Sequence, residues 1–80
     1  MYCVDTKELK KAMVDADLDS IQKLADASGV SRNTVVDVVS GRIQPSTDVM
    51  RKLAGALELP SERAGLIFFA FRLTSDVSEN

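Results

Sequence analysis

Apolar residues recur along this chain at helical spacing, and polar stretches containing Ser, Gly or Pro interrupt them about every ten to fifteen residues. The pattern predicts four amphipathic helices, over residues 5–17, 20–28, 32–39 and 46–58. Asp5 and Glu8 have the spacing of an N-cap and its reciprocal partner, and Gly41 is expected to end the third helix. We therefore expect an all-α bundle. The side chains expected to face its core include Leu9, Met13, Ala16, Ile21, Leu24, Ala25, Val49, Leu53 and Leu57.

The last apolar stretch, residues 65–71, allows two interpretations of its backbone. It follows Pro60-Ser61-Glu62, which is typical of a helix start, whereas its β-branched and aromatic residues also suit a strand. We expect a fifth helix, which has more apolar surface than so small a domain buries. Ile67, Phe68 and Phe71 are therefore candidates for a self-association surface, with burial in the core as the open alternative. The polar residues 75–80 are expected to form a disordered tail.

Residues 20–41 have the spacing of two short helices joined by a tight turn. Ala25 is small where two helices cross, and Gly29 supplies the positive φ that the turn needs. Ser31 stands at an N-cap position, and Leu24, Val30, Val35 and Val38 complete an apolar seam. Such a unit places its second helix in the major groove of DNA, so the segment predicts DNA binding.

Charge is distributed unevenly along the 80 residues, although the formal net charge is only −2. Residues 1–19 carry three basic and five acidic groups, residues 20–52 five and three, and residues 53–80 two and four. The middle third is thus the cationic part, as expected of a surface that meets phosphates. Ordinary charge scatter on a soluble helical protein is the alternative explanation.

Length and composition limit the organisation of the chain. At 80 residues, 45% of them hydrophobic, it supports one core, and we expect a single domain over residues 1–74 with no room for an effector or peptidase domain. The lone Cys3 has no partner for an internal disulfide. No run reaches transmembrane length and no signal peptide is present, which predicts a cytoplasmic protein without a membrane partner.

The inventory of reactive side chains argues against catalysis. The chain has no histidine and one cysteine, no Gly-rich phosphate loop beside a strand, and no Cys/His metal set. Carboxylate pairs such as Asp15 and Asp17 fit solvated charges better than an acid–base pair. We therefore expect no enzyme activity, no metal, no cofactor and no small-molecule substrate.

Several motifs taken together resemble the Cro/CI-like helix-turn-helix regulators, also called the XRE family, over roughly residues 6–59. They are Leu24-Ala25, Gly29-Val30-Ser31, Val35 with Val38, Gly41, Pro45-Ser46, and the Lys52-Leu53-Ala54…Ala56-Leu57 helix. The ending Ile67-Phe68-Phe69-Ala70 also looks like the tail of short phage and prophage members. The resemblance implies a lambda-repressor-like domain of five helices, a homodimer that reads a pseudo-palindromic operator with its third helix. Ile21 departs from the family, in which many members place a glutamine that braces a phosphate.

Residues near the start of a recognition helix, and those one turn later, face the base edges of DNA. The forked guanidinium of Arg32 can donate two hydrogen bonds to guanine O6 and N7, and Asn33 can pair bidentately with adenine. Thr34 can pack its methyl group against thymine, and Asp37 can accept from a cytosine amine. The alternatives are a phosphate clamp for Arg32, a helix-start role for Asn33, and for Asp37 a solvated charge that orients Arg32 or pairs with Arg42.

Phosphate contacts are expected at the start of the second helix and around the loop after the third. The candidates are Ser20, Lys23, Ser31, Arg42, Gln44 and Ser46. Val36 and Val39 are expected to be exposed beside the groove, where they meet thymine methyls or a partner surface.

A protein-binding module on the same scaffold, such as an anti-repressor or an antitoxin-like partner, is the rival function. The net charge of −2 and the expected exposure of Val36 and Val39 favour this function. A protein that no longer binds DNA, however, does not require a capped helix that starts with Arg32-Asn33 and is followed by Arg42. DNA binding is therefore the preferred hypothesis.

Overall fold

The structure, a computed structural model, describes residues 2–71, which form five helices and a short antiparallel β-pair. The helices confirm the all-α bundle predicted from the sequence, and the expected tail over residues 75–80 lies outside the described residues. The elements are β1 (Tyr2–Cys3), α1 (Thr6–Asp15), α2 (Ile21–Ser28), α3 (Arg32–Val39), α4 (Thr47–Ala56), α5 (Ser61–Phe68) and β2 (Ala70–Phe71).

Four of the helices begin at a residue whose side chain caps a main-chain N–H. Asp5 accepts from the N–H of Glu8, and Ser20, Ser31 and Ser46 each accept from the third residue of their helix, at 3.1–3.3 Å. These bonds satisfy N–H groups that have no partner inside the helix. The polar residues before each apolar run therefore set where the helices start, and α5, which follows Pro60, has no side-chain cap.

Two helices end earlier than the apolar pattern suggested. α1 stops at Asp15 and α4 at Ala56, because Asp17 (φ 59°) and Glu58 (φ 55°) take the left-handed conformation just beyond them. The N–H after each of these two residues then bonds back to a carbonyl in the last helical turn, at 2.8 and 2.9 Å. Asp17 was predicted as the end of α1, two residues beyond the observed one. Glycine is the usual residue at this position, and without it the sequence predicted that α4 continues to Glu58.

The core lies between the helices and contains side chains from all five, together with residues between them. Ile67 and Phe68 belong to it, each about 1% exposed, so the prediction that they form a self-association surface is wrong. Contact with the other helices already covers them. The prediction for the Phe71 side chain lies outside what the structure describes. The buried residues are Val4, Leu9, Ala12, Met13, Leu24, Ala25, Val30, Val35, Val38, Val39, Leu53, Leu57, Ile67 and Phe68.

The two ends of the described chain meet in the β-pair, which the sequence did not reveal. Tyr2 pairs with Phe71 and Cys3 with Ala70, and the Asp5 N–H donates to the Ile67 carbonyl at 2.7 Å. The stretch after Pro60 is thus helical as predicted and becomes a strand only at Ala70. Strands of two residues are too short for an alternating pattern to show.

No helix within residues 2–71 combines the length and the apolar character that crossing a membrane requires.

Candidate nucleic-acid interface

The turn between α2 and α3 has the predicted geometry. Gly29 has φ 76°, its N–H donates to the Ala25 carbonyl at 2.9 Å, and both Ala25 and Val30 are buried. Sequence reasoning missed the part played by Ser28, whose hydroxyl donates to the Leu24 carbonyl at 2.7 Å and accepts from the Val30 N–H at 3.2 Å. This hydroxyl reinforces the turn on which the orientation of α3 depends.

The valines of α3 divide between the core and the surface. Val35 and Val38 are fully buried, as predicted, and Val39 is buried with them at 9% exposure. The expected exposure of Val39 is therefore wrong, because residues 35, 38 and 39 share one face of a helix. Val36 is 37% exposed and lies on the outward face, as expected.

Arg32 and Asn33 occupy the first turn of α3 and are both exposed. Arg32 forms no ion pair with any other residue in the range 2–71, so its guanidinium is available to an external acceptor. Thr34 is half-buried, and its Oγ1 accepts a hydrogen bond of 2.8 Å from Ser31 Oγ. The outward face of α3 therefore begins with a cation beside an amide.

Asp37 joins α3 to the loop that follows it. Its carboxylate lies 3.7 Å from the Arg42 guanidinium, and its main-chain carbonyl accepts from the Arg42 N–H at 2.8 Å and from Ser40 Oγ at 3.1 Å. Gly41, with φ 77°, allows the chain to turn back in this way. The pairing of Asp37 with Arg42, one of the alternatives drawn from the sequence, is thus present.

Three serines that were predicted to hold phosphates are the caps of α2, α3 and α4. Ser20, Ser31 and Ser46 each use the hydroxyl oxygen to accept from a main-chain N–H of their own helix. Ser31 also donates its proton to Thr34 Oγ1, so the only hydrogen-bond donor of its side chain is used within the domain. The three helix N-termini can still bind an anion through the remaining N–H groups of their first turns and the positive ends of their dipoles.

The predicted phosphate ligand Lys23 is paired in the unbound protein with Asp19, which lies just before the cap of α2. Its ammonium lies 3.2 Å from Asp19, and this hydrogen bond and the charge of Lys23 lower the pKa of the Asp19 carboxyl below its ordinary value of 3.8. Lys52 pairs with Asp48 in the same manner on α4, also at 3.2 Å. Both pairs are solvent-exposed, so they cost little to exchange for contacts with phosphate.

Gln44 is the predicted phosphate contact whose surroundings differ most from the expectation. Its Nε2 donates to the main-chain carbonyl of Phe68, at the end of α5, with a distance of 2.6 Å. The amide therefore binds the protein itself across 24 residues of sequence. No local pattern signals such a contact.

Ile21 is half-buried at the first position of α2 and packs against the core. The position at which the resemblance implied a glutamine is thus occupied by an apolar contact. Within residues 2–71 no group of histidine, cysteine or acidic side chains is arranged to hold a metal ion.

The turn, the capped α3 and its exposed polar face define a helix-turn-helix DNA-binding domain. A helix-turn-helix family model matches residues 9–63, which is more than half of the chain. The protein belongs to the XRE-type helix-turn-helix family and is a DNA-binding transcription regulator. Comparisons with curated proteins and with solved structures gave no match.

Proposed function

We propose that the protein is a Cro/CI-like repressor, which inserts α3 into the major groove of a pseudo-palindromic operator as a homodimer in the cytoplasm, without cofactor or catalytic activity. One observation carries the proposal: Arg32 and Asn33 stand side by side, exposed, at the capped first turn of α3. Arginine and asparagine are the side chains that pair bidentately with guanine and adenine.

The base contacts follow from the outward face of α3. Arg32 reads guanine O6 and N7, Asn33 reads adenine, and the methyl group of Thr34 packs on thymine. Asp37 accepts from a cytosine amine only after it gives up Arg42, which lies 3.7 Å away in the unbound protein. Val36 adds an apolar contact for a second thymine methyl.

The phosphate contacts surround that face. The first turns of α2, α3 and α4, capped by Ser20, Ser31 and Ser46, direct N–H groups at the backbone. Lys23 and Arg42 exchange their carboxylate partners for phosphates. Each exchange leaves a carboxylate near the DNA, so we expect a modest affinity per chain and a gain from dimerisation.

The homodimer is proposed to form through the outward side of α5. Ile67 and Phe68 face the core, whereas Leu66 and Phe69, three residues apart at the end of α5, are 72% and 50% exposed. An exposed patch of neighbouring apolar side chains is typical of interfaces, whereas Val14 is the one large apolar side chain exposed on α1, among the residues that the structure describes. Leu66→Asp is expected to weaken the dimer without unfolding it, because the side chain is outside the core. Val14→Asp, which changes a residue 64% exposed on α1, is the matched control. Sedimentation at several concentrations measures both, and equal dimer constants for the two variants would remove α5 from the interface.

The test of the whole proposal is selection of bound duplexes from a random DNA library, with the wild type and Arg32→Ala at one salt concentration. We expect enrichment of inverted half-sites about one helical turn apart, with the preference lost at one position of each half-site in the variant. Arg32→Ala should cost about 1–3 kcal/mol on the selected site. A folded wild-type protein that enriches nothing would contradict sequence-specific binding.

A second candidate function is protein binding through the same surface. It is favoured by two exposed apolar side chains, one on α3 and one in the loop that follows it. Val36 and Ile43 are 37% and 41% exposed. On this hypothesis the protein shows no salt-dependent retention on duplex DNA and forms a stable complex with one protein. Val36→Ser with Ile43→Ser would then abolish that complex, whereas Arg32→Ala would leave it intact.

A further inference from the structure

The Gln44 side chain joins the loop between α3 and α4 to the end of α5. Its Nε2 donates to the Phe68 carbonyl at 2.6 Å. The carbonyls in the last turn of a helix lack partners inside that helix, so Phe68 offers an acceptor that another element must satisfy. The neighbouring Ile67 carbonyl is satisfied from outside as well, by the Asp5 N–H at 2.7 Å. The end of α5 is thus held by two hydrogen bonds from other parts of the chain.

The loop that Gln44 anchors, residues 40–46, carries the Arg42 guanidinium. Its first part is closed onto α3 by the bond of 2.8 Å from the Arg42 N–H to the Asp37 carbonyl. Its last part enters α4 through the buried Pro45 and the cap Ser46. Gln44 adds a restraint of a different kind, because it fixes the loop to an element that lies outside the helix-turn-helix.

We infer that Gln44 is a positioning residue, which holds the loop so that Arg42 meets the DNA backbone, and that it is not itself a phosphate ligand. This inference rests on the proposed DNA binding. It makes the end of α5, and the β-pair that follows it, part of the support for the DNA-binding surface. Gln44 is neutral, so loss of its hydrogen bond should weaken DNA binding by displacing the positive charge of Arg42.

The salt dependence of DNA binding distinguishes the two roles. A neutral amide that contacts a phosphate releases no counterion, so its loss leaves the slope of log K against log salt unchanged. Displacement of an arginine from a phosphate reduces the magnitude of that slope by about 0.9. We expect Gln44→Met, which keeps the length of the side chain and removes the donor, to weaken binding about 3–10-fold and to reduce the slope by nearly that amount for each chain. Gln22→Met is the matched control, because Gln22 Nε2 makes a bond of 2.8 Å that stays within α2, to Asp26. That variant should change neither quantity.

Combination with Arg42→Ala completes the test. If Gln44 acts through Arg42, the double variant binds no more weakly than Arg42→Ala alone, since the same contact cannot be lost twice. Losses that multiply, with an unchanged slope for Gln44→Met, would show that Gln44 contacts phosphate directly and would overturn the inference. Wild-type affinity and slope are measured beside these variants, so that absence of DNA binding would be recognised as failure of the proposed function.

A measurement on the unbound wild type covers the case in which Gln44→Met does not fold. Scalar coupling across the hydrogen bond, from Gln44 Nε2 to the Phe68 carbonyl carbon, should be detectable by NMR, with slow exchange of the amide proton involved. A Gln44 amide that exchanges as fast as a solvated glutamine, without this coupling, would overturn the inference independently of any DNA measurement.

Discussion

Asp37 and Arg42 are joined twice, by a main-chain hydrogen bond of 2.8 Å and by a side-chain ion pair of 3.7 Å. The first bond closes the end of α3, and the second places a carboxylate beside the cation proposed to hold DNA. Asp37 therefore links α3 to the loop that follows it, and a change at Asp37 acts on both. The main-chain bond survives a side-chain substitution, so the effect of the carboxylate can be isolated.

Asp37→Asn is expected to strengthen binding to random duplex DNA about 2–5-fold at low salt, because it removes a negative charge near the phosphates and frees Arg42. The gain should shrink as salt increases. Stability should change by no more than about 0.5 kcal/mol, since the ion pair is partly exposed to solvent. Fluorescence anisotropy at several salt concentrations and urea denaturation measure the two effects.

Asp15→Asn is the control for this prediction, because it removes the same charge from an ion pair with Arg63, at 3.6 Å, that links α1 to α5. It should leave DNA binding almost unchanged. If Asp37→Asn instead leaves random DNA unaffected and weakens only selected sites, the carboxylate reads a base and does not restrain Arg42.

The Asp19–Lys23 pair predicts a particular titration. The hydrogen bond and charge of Lys23 hold the pKa of the Asp19 carboxyl below 3.8, so the contribution of the pair to stability is present above about pH 3.8 and is lost as the pH falls through the lowered value. Lys23→Met should raise the pKa of Asp19 towards 3.8 in an NMR titration. Lys52→Met, which breaks the equivalent pair on α4, should leave it unchanged. An Asp19 pKa that stays low without Lys23 would assign the shift to the backbone instead.

The sequence predicted those parts of the domain whose causes are local. Ser31 and Gly29 lie within a few residues of the groups that they serve, so their roles as cap and turn were predictable from spacing alone. Gln44 bonds to a carbonyl 24 residues away, and its neighbours in sequence contain no trace of that contact. Its interpretation as a phosphate ligand relied on its place in the loop after the third helix, which does not specify the group that the amide binds.

The same limit explains the errors on apolar residues. Ile67 and Phe68 were candidates for a surface because the terminal helix was expected to have more apolar surface than so small a domain buries, with burial in the core as the alternative. The structure shows that α1 and α4 both pack against α5, which buries these two side chains and leaves Leu66 exposed. Which face of an apolar helix is covered depends on the packing of the bundle, whereas the periodicity of the sequence predicts only that a helix forms.

The helix ends at Asp17 and Glu58 offer a route to a more stable domain. Both residues have positive φ, which costs an ordinary side chain about 1–2 kcal/mol and glycine very little. Asp17→Gly and Glu58→Gly should each stabilise the protein by about 0.5–1 kcal/mol, after allowance for the greater freedom of glycine in the unfolded chain. Urea denaturation measures the gain. Lys10→Gly, at an exposed position inside α1, should destabilise by a similar amount, and a loss at all three positions would contradict the explanation.

Gly41 and Gly29 form a matched pair for the opposite experiment. Both have left-handed backbones, with φ 77° and 76°, but a Cβ at Gly41 would lie 3.1 Å from Thr6 Cγ2, whereas a Cβ at Gly29 would have open space around it. Gly29→Ala should cost about 1 kcal/mol from backbone strain alone. Gly41→Ala should cost more, because the Thr6 methyl at the start of α1 must also move. Thr6→Ser removes that methyl, so in its background the two glycine substitutions should cost the same. If the extra cost of Gly41→Ala persists without the methyl, the conformation of the α3–α4 loop, and not contact with α1, accounts for the requirement for glycine.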